Sequence, residues 1–154
     1  MDVGIYALQA TRYLTGEEPM WIAATTTQGD RTRFAEVEES VVWEARFPGG
    51  AVSHCSSSYN AVGIGYFRVL AERGWFGLDP AFNYGDLRGL RSDGQAIDPP
   101  STDQFAVEMD DFARCILQKT PTRVPGEEGL TDVRIMTAIY ESARAGKPIE
   151  LHRA

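Results

Sequence analysis

SVVWEARFPGGAVSHCSSSY, residues 40–59, consists of two β-rich runs separated by the turn Pro48-Gly49-Gly50. Two such runs around a glycine turn predict a β-hairpin. Side chains alternate between the two faces of a strand, so one face of the first arm is predicted to be apolar. That face carries Val41, Trp43, Ala45 and Phe47. The second arm is more polar, which fits a sheet with one packed face and one face open to water, a ligand or a partner.

Further elements are predicted on both sides of the hairpin. A helix over residues 3–14 is stopped by Gly16 and Pro19. The other strands are predicted at residues 21–27, 66–71, 75–78, 84–90 and 148–151. Two more helices follow residues 98–100, whose Asp-Pro-Pro run breaks the sheet region. The order helix, antiparallel strands, two helices predicts an α+β fold: an open, mainly antiparallel β-sheet with helices packed on one face.

The two C-terminal helices carry start signals and apolar stripes. Ser101 with Gln104 is a capping-box pattern, and Glu127 and Glu128 place negative charge at the start of the last helix. The first stripe consists of Phe105, Met109, Phe112 and Ile116. The second consists of Val133, Met136, Ile139 or Tyr140, and Ala143. Both spacings are typical of one helix face packed against a core.

Length, charge and hydropathy limit the possible functions. A chain of 154 residues is long enough for a hydrophobic core, and residues 1–154 are predicted to form a single domain. The formal net charge of -7 argues against nucleic-acid binding, which needs clustered Lys and Arg. No apolar run is long enough to span a membrane. Asp2 stands where a signal peptide carries positive charge, so a cytoplasmic protein is predicted.

The residues alone predict no bound cofactor or metal. Gly63-Ile64-Gly65 lacks the third glycine of a dinucleotide-binding loop and lies in a strand-like context. Two histidines and two cysteines are too few for a zinc cluster. Cys55 and Cys115 are predicted to be buried free thiols, and His54 is more simply explained as a surface residue of a strand.

Asp2 and Tyr6 are the first candidates for a functional site. Four residues apart at the start of a helix, they would lie on one face, and a carboxylate beside a phenol can handle protons. The alternative is structural: Asp is a common helix cap and a helical Tyr is often a packing residue. A site normally has walls on several sides. Either the pair is structural, or the other half of the site belongs to a polypeptide outside this sequence.

Tyr84 and Trp75 could line a sugar pocket, because aromatic faces stack on the apolar faces of sugars. They could equally belong to the core.

Three stretches resemble one family in combination. They are MDVGIYAL with TRYLTGEEP (residues 1–8 and 11–19), VPGEEGLTDVR (residues 124–134) and AIYESARAGKP (residues 138–148). Together they are similar to the C-terminal domain of the Gfo/Idh/MocA oxidoreductases, the family of glucose–fructose oxidoreductase and inositol dehydrogenase. The similarity covers nearly the whole chain, in family order. The resemblance implies an α+β domain with a largely antiparallel open sheet, whose exposed face commonly forms a dimer or tetramer interface.

The resemblance also implies roles for single residues. Asp2 and Tyr6 match the family's Asp-x-Gly-x-His/Tyr motif, in which the second residue transfers the proton of the substrate hydroxyl and the Asp orients the sugar or polyol. Arg12 and Tyr84 are weaker candidates for substrate contact. Family members hold NAD(P) in an N-terminal Rossmann domain with a Glu-Lys-Pro motif, and this sequence has neither. Tyr at position 6 resembles the glucose–fructose oxidoreductase side of the family, which favours NADP.

Two interpretations follow. In the first, the chain is the substrate half of an NAD(P)-dependent sugar or polyol oxidoreductase, shortened by the loss of its Rossmann domain; alone it binds no cofactor and is inactive, and it forms a homo-oligomer through its sheet face. In the second, it is a non-enzymatic oligomerisation or binding module. Residues 53–58 and the arm that bears Trp43 would form its surface.

Overall fold

The structure, a computed structural model, describes residues 1–152. The helices are α1 (Gly4–Thr15), α2 (Gln104–Gln118) and α3 (Gly126–Ala145). The strands are β1 (Trp21–Thr27), β2 (Ser40–Arg46), β3 (Val52–Ser58), β4 (Phe67–Ala71), β5 (Gly74–Leu78), β6 (Gly89–Arg91), β7 (Ala96–Ile97) and β8 (Ile149–Glu150). Antiparallel sheets and helices confirm the predicted α+β class.

The chain divides into two compact units, residues 1–62 with residues 126 onward, and residues 63–125. That they act as the single domain predicted from the chain length stays a prediction.

The predicted hairpin forms one side of the sheet in the first unit, with β2 inside the sheet and β3 at its edge. This sheet has the strand order β3-β2-β1-β8, and all of its pairs are antiparallel. Trp43 on β2 lies opposite Cys55 on β3 and Ala24 on β1. The short strand β8 pairs with β1, as the sequence predicted for the end of the chain.

The apolar face of β2 lies in the core, as the alternation predicted. Trp43 is 1 % exposed, and Val41, Ala45 and Phe47 are also buried. They belong to one cluster with Leu8 of α1, Ile22 of β1, and Ile135 and Ile139 of α3. Trp43 therefore adds no surface to the arm that bears it, because the indole belongs to the core; the use of this arm and of residues 53–58 as a binding surface stays a prediction.

The other face of this sheet is open. Val42 is 54 % exposed on β2, and Val52 of β3 is exposed on the same face. The guanidinium of Arg46 lies 4.0 Å from the ring centroid of Trp21, and His54 Nδ1 lies 3.8 Å from a carboxylate oxygen of Glu44. Polar, charged and apolar groups are thus mixed on a surface that no other element of the first unit covers.

The buried face of α3 differs by one residue from the predicted stripe. Ile135, Ala138 and Ile139 are buried, whereas Val133 is exposed. Two polar residues, Asp132 and Ser142, complete the buried face. The Ser142 hydroxyl accepts a hydrogen bond from Ala24 N–H and donates one to the carbonyl of Lys147. The predicted stripe used apolar residues alone, so it left out these two polar residues and was displaced by one position from the buried face.

The second unit contains an antiparallel sheet with the order β4-β5-β6-β7. The β4–β5 hairpin confirms the predicted strand pair. The strand predicted over residues 84–90 is wrong for most of its length, because only β6 at Gly89–Arg91 forms. Residues 82–85, Phe-Asn-Tyr-Gly, instead form bends, and Asp86, which follows them, has φ +55°. These residue types favour turns over strands.

Helix α2 begins at a different cap from the predicted one. Asp103 is the N-cap, and its carboxylate accepts hydrogen bonds of 3.1 Å from the N–H groups of Phe105 and Ala106. The capping box at Ser101 is therefore wrong by two positions. The apolar stripe from Phe105 to Ile116 is exposed, and no residue of α2 is buried. Among the described residues, no helix combines the length and apolarity needed to cross a membrane.

Candidate functional site

Asp2 lies at the entrance to α1 but does not cap the helix. The N-cap is Val3, and no side chain makes a capping hydrogen bond there. The first turn is closed by a 3.2 Å bond from Ile5 N–H to the carbonyl of Met1. An Oδ2 atom of Asp2 instead accepts a 2.7 Å hydrogen bond from the hydroxyl of Tyr59. The structural explanation of Asp2 as a helix cap is therefore wrong.

Tyr6 lies in the first turn of α1, four residues after Asp2. Its side chain is 46 % exposed, so it is not a core packing residue. Part of the phenol surface is therefore accessible to a bound molecule. The structure places Asp2 and Tyr6 at the same end of α1; their roles toward a substrate stay predictions.

Tyr59 is a residue of this site that the sequence did not indicate. It follows the last residue of β3, and it reaches Asp2 across 57 positions of the chain. The hydrogen bond to the Asp2 carboxylate, with a smaller contribution from burial, raises the pKa of Tyr59 above its ordinary value of 10.0. A phenol is already protonated at neutral pH, so Tyr59 is the hydrogen-bond donor there, and the raised pKa extends this state to higher pH. A tyrosine at a strand end carries no signal in sequence that would pair it with Asp2.

A second tyrosine–carboxylate pair lies in the same unit. The Tyr140 hydroxyl of α3 donates a 2.6 Å hydrogen bond to Oε1 of Glu38, which is also 2.8 Å from the Met1 nitrogen. Burial of the Glu38 carboxylate would by itself raise its pKa, but the bonds from Met1 and Tyr140 outweigh this and lower it. Burial and then the bond to Glu38 raise the pKa of Tyr140. Both residues line a cavity of about 560 Å³ with Thr26, Thr27, Gln28, Ala35, Glu36 and Val37.

Arg12 is one of the buried residues of α1 and is only 9 % exposed. Its guanidinium donates to three carboxylates: Nε and Nη2 to Glu18, Nη2 to Glu128 at 2.9 Å, and Nη1 to Asp132 at 2.8 Å. The hydrogen bond to Glu18 raises the pKa of Arg12, against the effect of burial. These contacts tie α1 to α3 through Asp132. The predicted substrate contact of Arg12 is untested, and its donors already have protein partners.

Tyr84 belongs to the second unit. It is 71 % exposed, so it is not a core residue, and its ring centroid lies 5.4 Å from that of Phe105 on α2. Trp75 lies in the same unit with the Arg68 guanidinium 4.3 Å from its ring centroid. A substrate contact of Tyr84 stays a prediction.

Two features that hold a dinucleotide or a metal ion in other proteins were compared with residues 1–152. Residues 63–65 lead into strand β4 rather than into a helix, so they lack the strand-to-helix arrangement that presents backbone N–H groups to a pyrophosphate. Residues 1–152 contain no group of three His, Cys, Asp or Glu side chains placed to hold a metal ion.

Residues 1–151 match the family model described as the oxidoreductase family, C-terminal alpha/beta domain. The chain is 31 % identical over 98 % of its length to the D-xylose 1-dehydrogenase [NADP(+)] of Haloarcula marismortui, covering 43 % of that protein. It is 33 % identical over 98 % of its length to D-xylose 1-dehydrogenase (NADP(+)) 2 of Haloferax volcanii, covering 47 % of it.

A solved structure resembles the chain over a similar range. The aldose–aldose oxidoreductase of Caulobacter crescentus, crystallised with glycerol, superposes with a TM-score of 0.88 at 37 % identity. This match covers 96 % of the chain and 46 % of that protein. The chain thus spans about half of the length of each of these relatives.

Proposed function

Because the chain belongs to the Gfo/Idh/MocA oxidoreductase family, as its C-terminal α/β domain, we propose that it is the substrate-binding half of an NADP-dependent oxidoreductase of sugars or polyols. The observation that carries this proposal is similarity along nearly the whole chain to two enzymes named as NADP-dependent xylose dehydrogenases. The resemblance to an aldose–aldose oxidoreductase crystallised with glycerol supports the same class of substrate.

Within this proposal Tyr6 and Asp2 act on the substrate hydroxyl. Oxidation of a secondary alcohol removes a hydride from carbon and a proton from oxygen. The Tyr6 oxygen, as phenolate, would take up that proton and become the neutral phenol, and the Asp2 carboxylate would accept a hydrogen bond from the sugar and orient it. A phenol has a pKa of about 10 in water. It is therefore ionised at neutral pH only where a cation beside it lowers that pKa. The lysine of the family's Glu-Lys-Pro motif, which lies outside this sequence, fits that requirement.

Residues 63–65 do not form a dinucleotide-binding loop, so we expect the hydride acceptor to be held by another part of a complete enzyme. We therefore expect the 154-residue chain with NADP and a panel of sugars and polyols to show no turnover. Turnover by the chain alone would contradict the division of roles between two halves.

A fused protein tests the proposal directly. The part of the Caulobacter aldose–aldose oxidoreductase outside the aligned region would be joined to this chain, and NADP reduction measured with aldoses and polyols. We expect turnover, and a decrease in kcat of about 10²–10⁴-fold for Tyr6→Phe because the proton acceptor is lost. Tyr13→Phe, at an 88 % exposed tyrosine of the same helix, is the matched control. A folded fusion that binds NADP but oxidises none of these compounds would refute the proposal.

A second role, assembly through the open face of the first sheet, is compatible with the first. It is supported by the exposure of Val42 and Val52 on adjacent strands of that face. We expect sedimentation velocity to detect a dimer or tetramer, and Val42→Lys to shift it to monomer without changing the circular dichroism spectrum. Val37→Lys, at an exposed position outside the strands, should leave the assembly unchanged. A monomeric chain at all concentrations would exclude this role. A cytoplasmic location and the lack of nucleic-acid binding stay predictions.

A further inference from the structure

The contact between Asp2 and Tyr59 joins two exposed side chains. The Tyr59 hydroxyl lies 2.7 Å from Oδ2 of Asp2, a short distance typical of a hydrogen bond to a charged acceptor. Both residues are exposed, and exposed polar contacts contribute little to the free energy of unfolding. The fold therefore gains little from this pair, so a role in arranging the site is the more economical explanation.

The backbone around Tyr59 is held in place on one side of this contact. The Tyr59 N–H donates a 3.1 Å hydrogen bond to the carbonyl of Glu39. The side-chain amide of Asn60 donates a hydrogen bond of 2.8 Å to the carboxylate of Glu39. One residue earlier, Ser58 pairs with Ser40 on the neighbouring strand through their hydroxyl groups at 2.7 Å. The backbone at Tyr59 is therefore held at the end of the β2–β3 hairpin opposite its turn.

Asp2, in contrast, depends on Tyr59 for its orientation. It precedes the helix, and Oδ2 forms its hydrogen bond to a residue far away in sequence. Without that bond the carboxylate would rotate about its side-chain torsions, which are broad for Asp. The Tyr59 phenol is protonated at neutral pH, as an ordinary phenol is, and donates to Asp2.

We propose that Tyr59 is a positioning residue for Asp2: its hydroxyl holds Oδ2 and so presents Oδ1 to a hydroxyl group of the sugar or polyol. This inference rests on the proposed function of Asp2 in substrate binding. Tyr59 itself neither accepts the substrate proton nor contacts the hydride acceptor. A carboxylate held by one oxygen pays less ordering entropy when the other oxygen binds its ligand.

The contact itself is tested in the 154-residue chain, without catalysis. Tyrosine labelled with ¹³C at Cζ gives one NMR signal per tyrosine, and pH titration reports each phenol. Asp2→Ala is expected to lower the pKa of Tyr59 towards its ordinary value, and to leave the titration of Tyr13 unchanged. Glu36→Ala, at another exposed acid of the same unit, is the matched control. An unchanged Tyr59 titration in Asp2→Ala would overturn the inference.

The positioning role is tested in the fused protein. Tyr59→Phe is expected to raise the KM for the sugar about fivefold and to leave the KM for NADP unchanged, because one charge-assisted hydrogen bond at an exposed site is lost. In an Asp2→Ala background the same change should have no further effect, since the group that Tyr59 holds is gone. Tyr13→Phe should change neither constant.

The outcomes separate the two proposals. If the fusion oxidises sugars and Tyr59→Phe leaves the KM for sugar unchanged, or if its effect simply adds to that of Asp2→Ala, the positioning role is wrong and the proposed function stands. If the unsubstituted fusion binds NADP but oxidises no sugar or polyol, both are wrong, and the Tyr59–Asp2 bond is a surface contact only.

Discussion

Nη1 of Arg12 donates a 2.8 Å hydrogen bond to Oδ1 of Asp132, and this buried ion pair joins the first helix of the chain to the last. The other carboxylate oxygen of Asp132 accepts a hydrogen bond of 2.8 Å from the side-chain amide of Gln9. Asp132 is only 2 % exposed, so water cannot replace a lost partner.

Arg12→Met should therefore destabilise the fold strongly. Removal of one partner from a buried pair leaves an uncompensated charge, with a cost of about 3–5 kcal/mol. Urea unfolding followed by far-UV circular dichroism measures the loss. Arg31→Met, at an exposed arginine, should stay within about 0.5 kcal/mol of the parent chain. Equal effects of the two substitutions would show that the pair does not hold the helices together.

Trp43→Ala tests the buried face of β2. The indole is 1 % exposed among the apolar side chains of the core, and its removal should cost about 3–5 kcal/mol through lost burial and a cavity. Val42→Ala changes the neighbouring residue on the opposite face, and we expect a cost of at most about 0.5 kcal/mol. Thermal unfolding of both variants gives the comparison. A large effect of Val42→Ala in a monomeric chain would contradict the assignment of the open face.

Asp103→Ala tests the N-cap of α2. Its carboxylate accepts from two otherwise unpaired N–H groups, so its loss should destabilise the start of the helix by about 1 kcal/mol. Amide hydrogen exchange at Phe105 to Val107 should become several-fold faster. Ser101→Ala removes the residue that the sequence pattern predicted as the cap, and it should leave these exchange rates unchanged. The reverse ranking of the two variants would place the helix start at Ser101.

Tyr140→Phe removes a hydrogen bond from the partly buried carboxylate of Glu38, with an expected cost of about 1–2 kcal/mol at neutral pH. The pKa of Glu38 is lowered in the folded chain, so its bonds stabilise the fold above the ordinary value of 4.5 and lose this effect as pH falls through the lowered pKa. The difference in stability between the two chains should therefore be largest near neutral pH and shrink in acid. A difference independent of pH would mean that the ionised carboxylate is not the acceptor that matters.

The central part of the fold follows from local patterns. Alternation along β2 and the glycine turn after it identify the hairpin and its buried face, because a strand with one packed face must place apolar residues at every second position. Gly16 ends α1 as predicted, with φ +67° and its N–H bonded to the carbonyl of Arg12. These features depend on residues that are neighbours in the chain, so they can be predicted from a single sequence.

The site is less visible in sequence, because its contacts join distant positions. Asp2 and Tyr6 could be identified from their spacing and from family resemblance. Tyr59 could not, because its partner lies 57 residues away and tyrosine at a strand end has many uses. The prediction for the buried face of α3 fails for the same reason: the partners of the buried Asp132 carboxylate are Arg12, 120 positions earlier, and Gln9, 123 positions earlier.

The three tryptophans give the chain a built-in optical record of its architecture. Trp21 and Trp43 belong to the first unit, one beneath a guanidinium at the sheet surface and one surrounded by hydrocarbon, whereas Trp75 belongs to the second. Indole emission shifts to longer wavelength as water reaches the ring. Subtracting the fluorescence of a Trp75→Phe variant from that of the parent chain would therefore isolate the light from residues 63–125, and denaturant titrations of the two spectra would reveal whether both units melt together or in sequence.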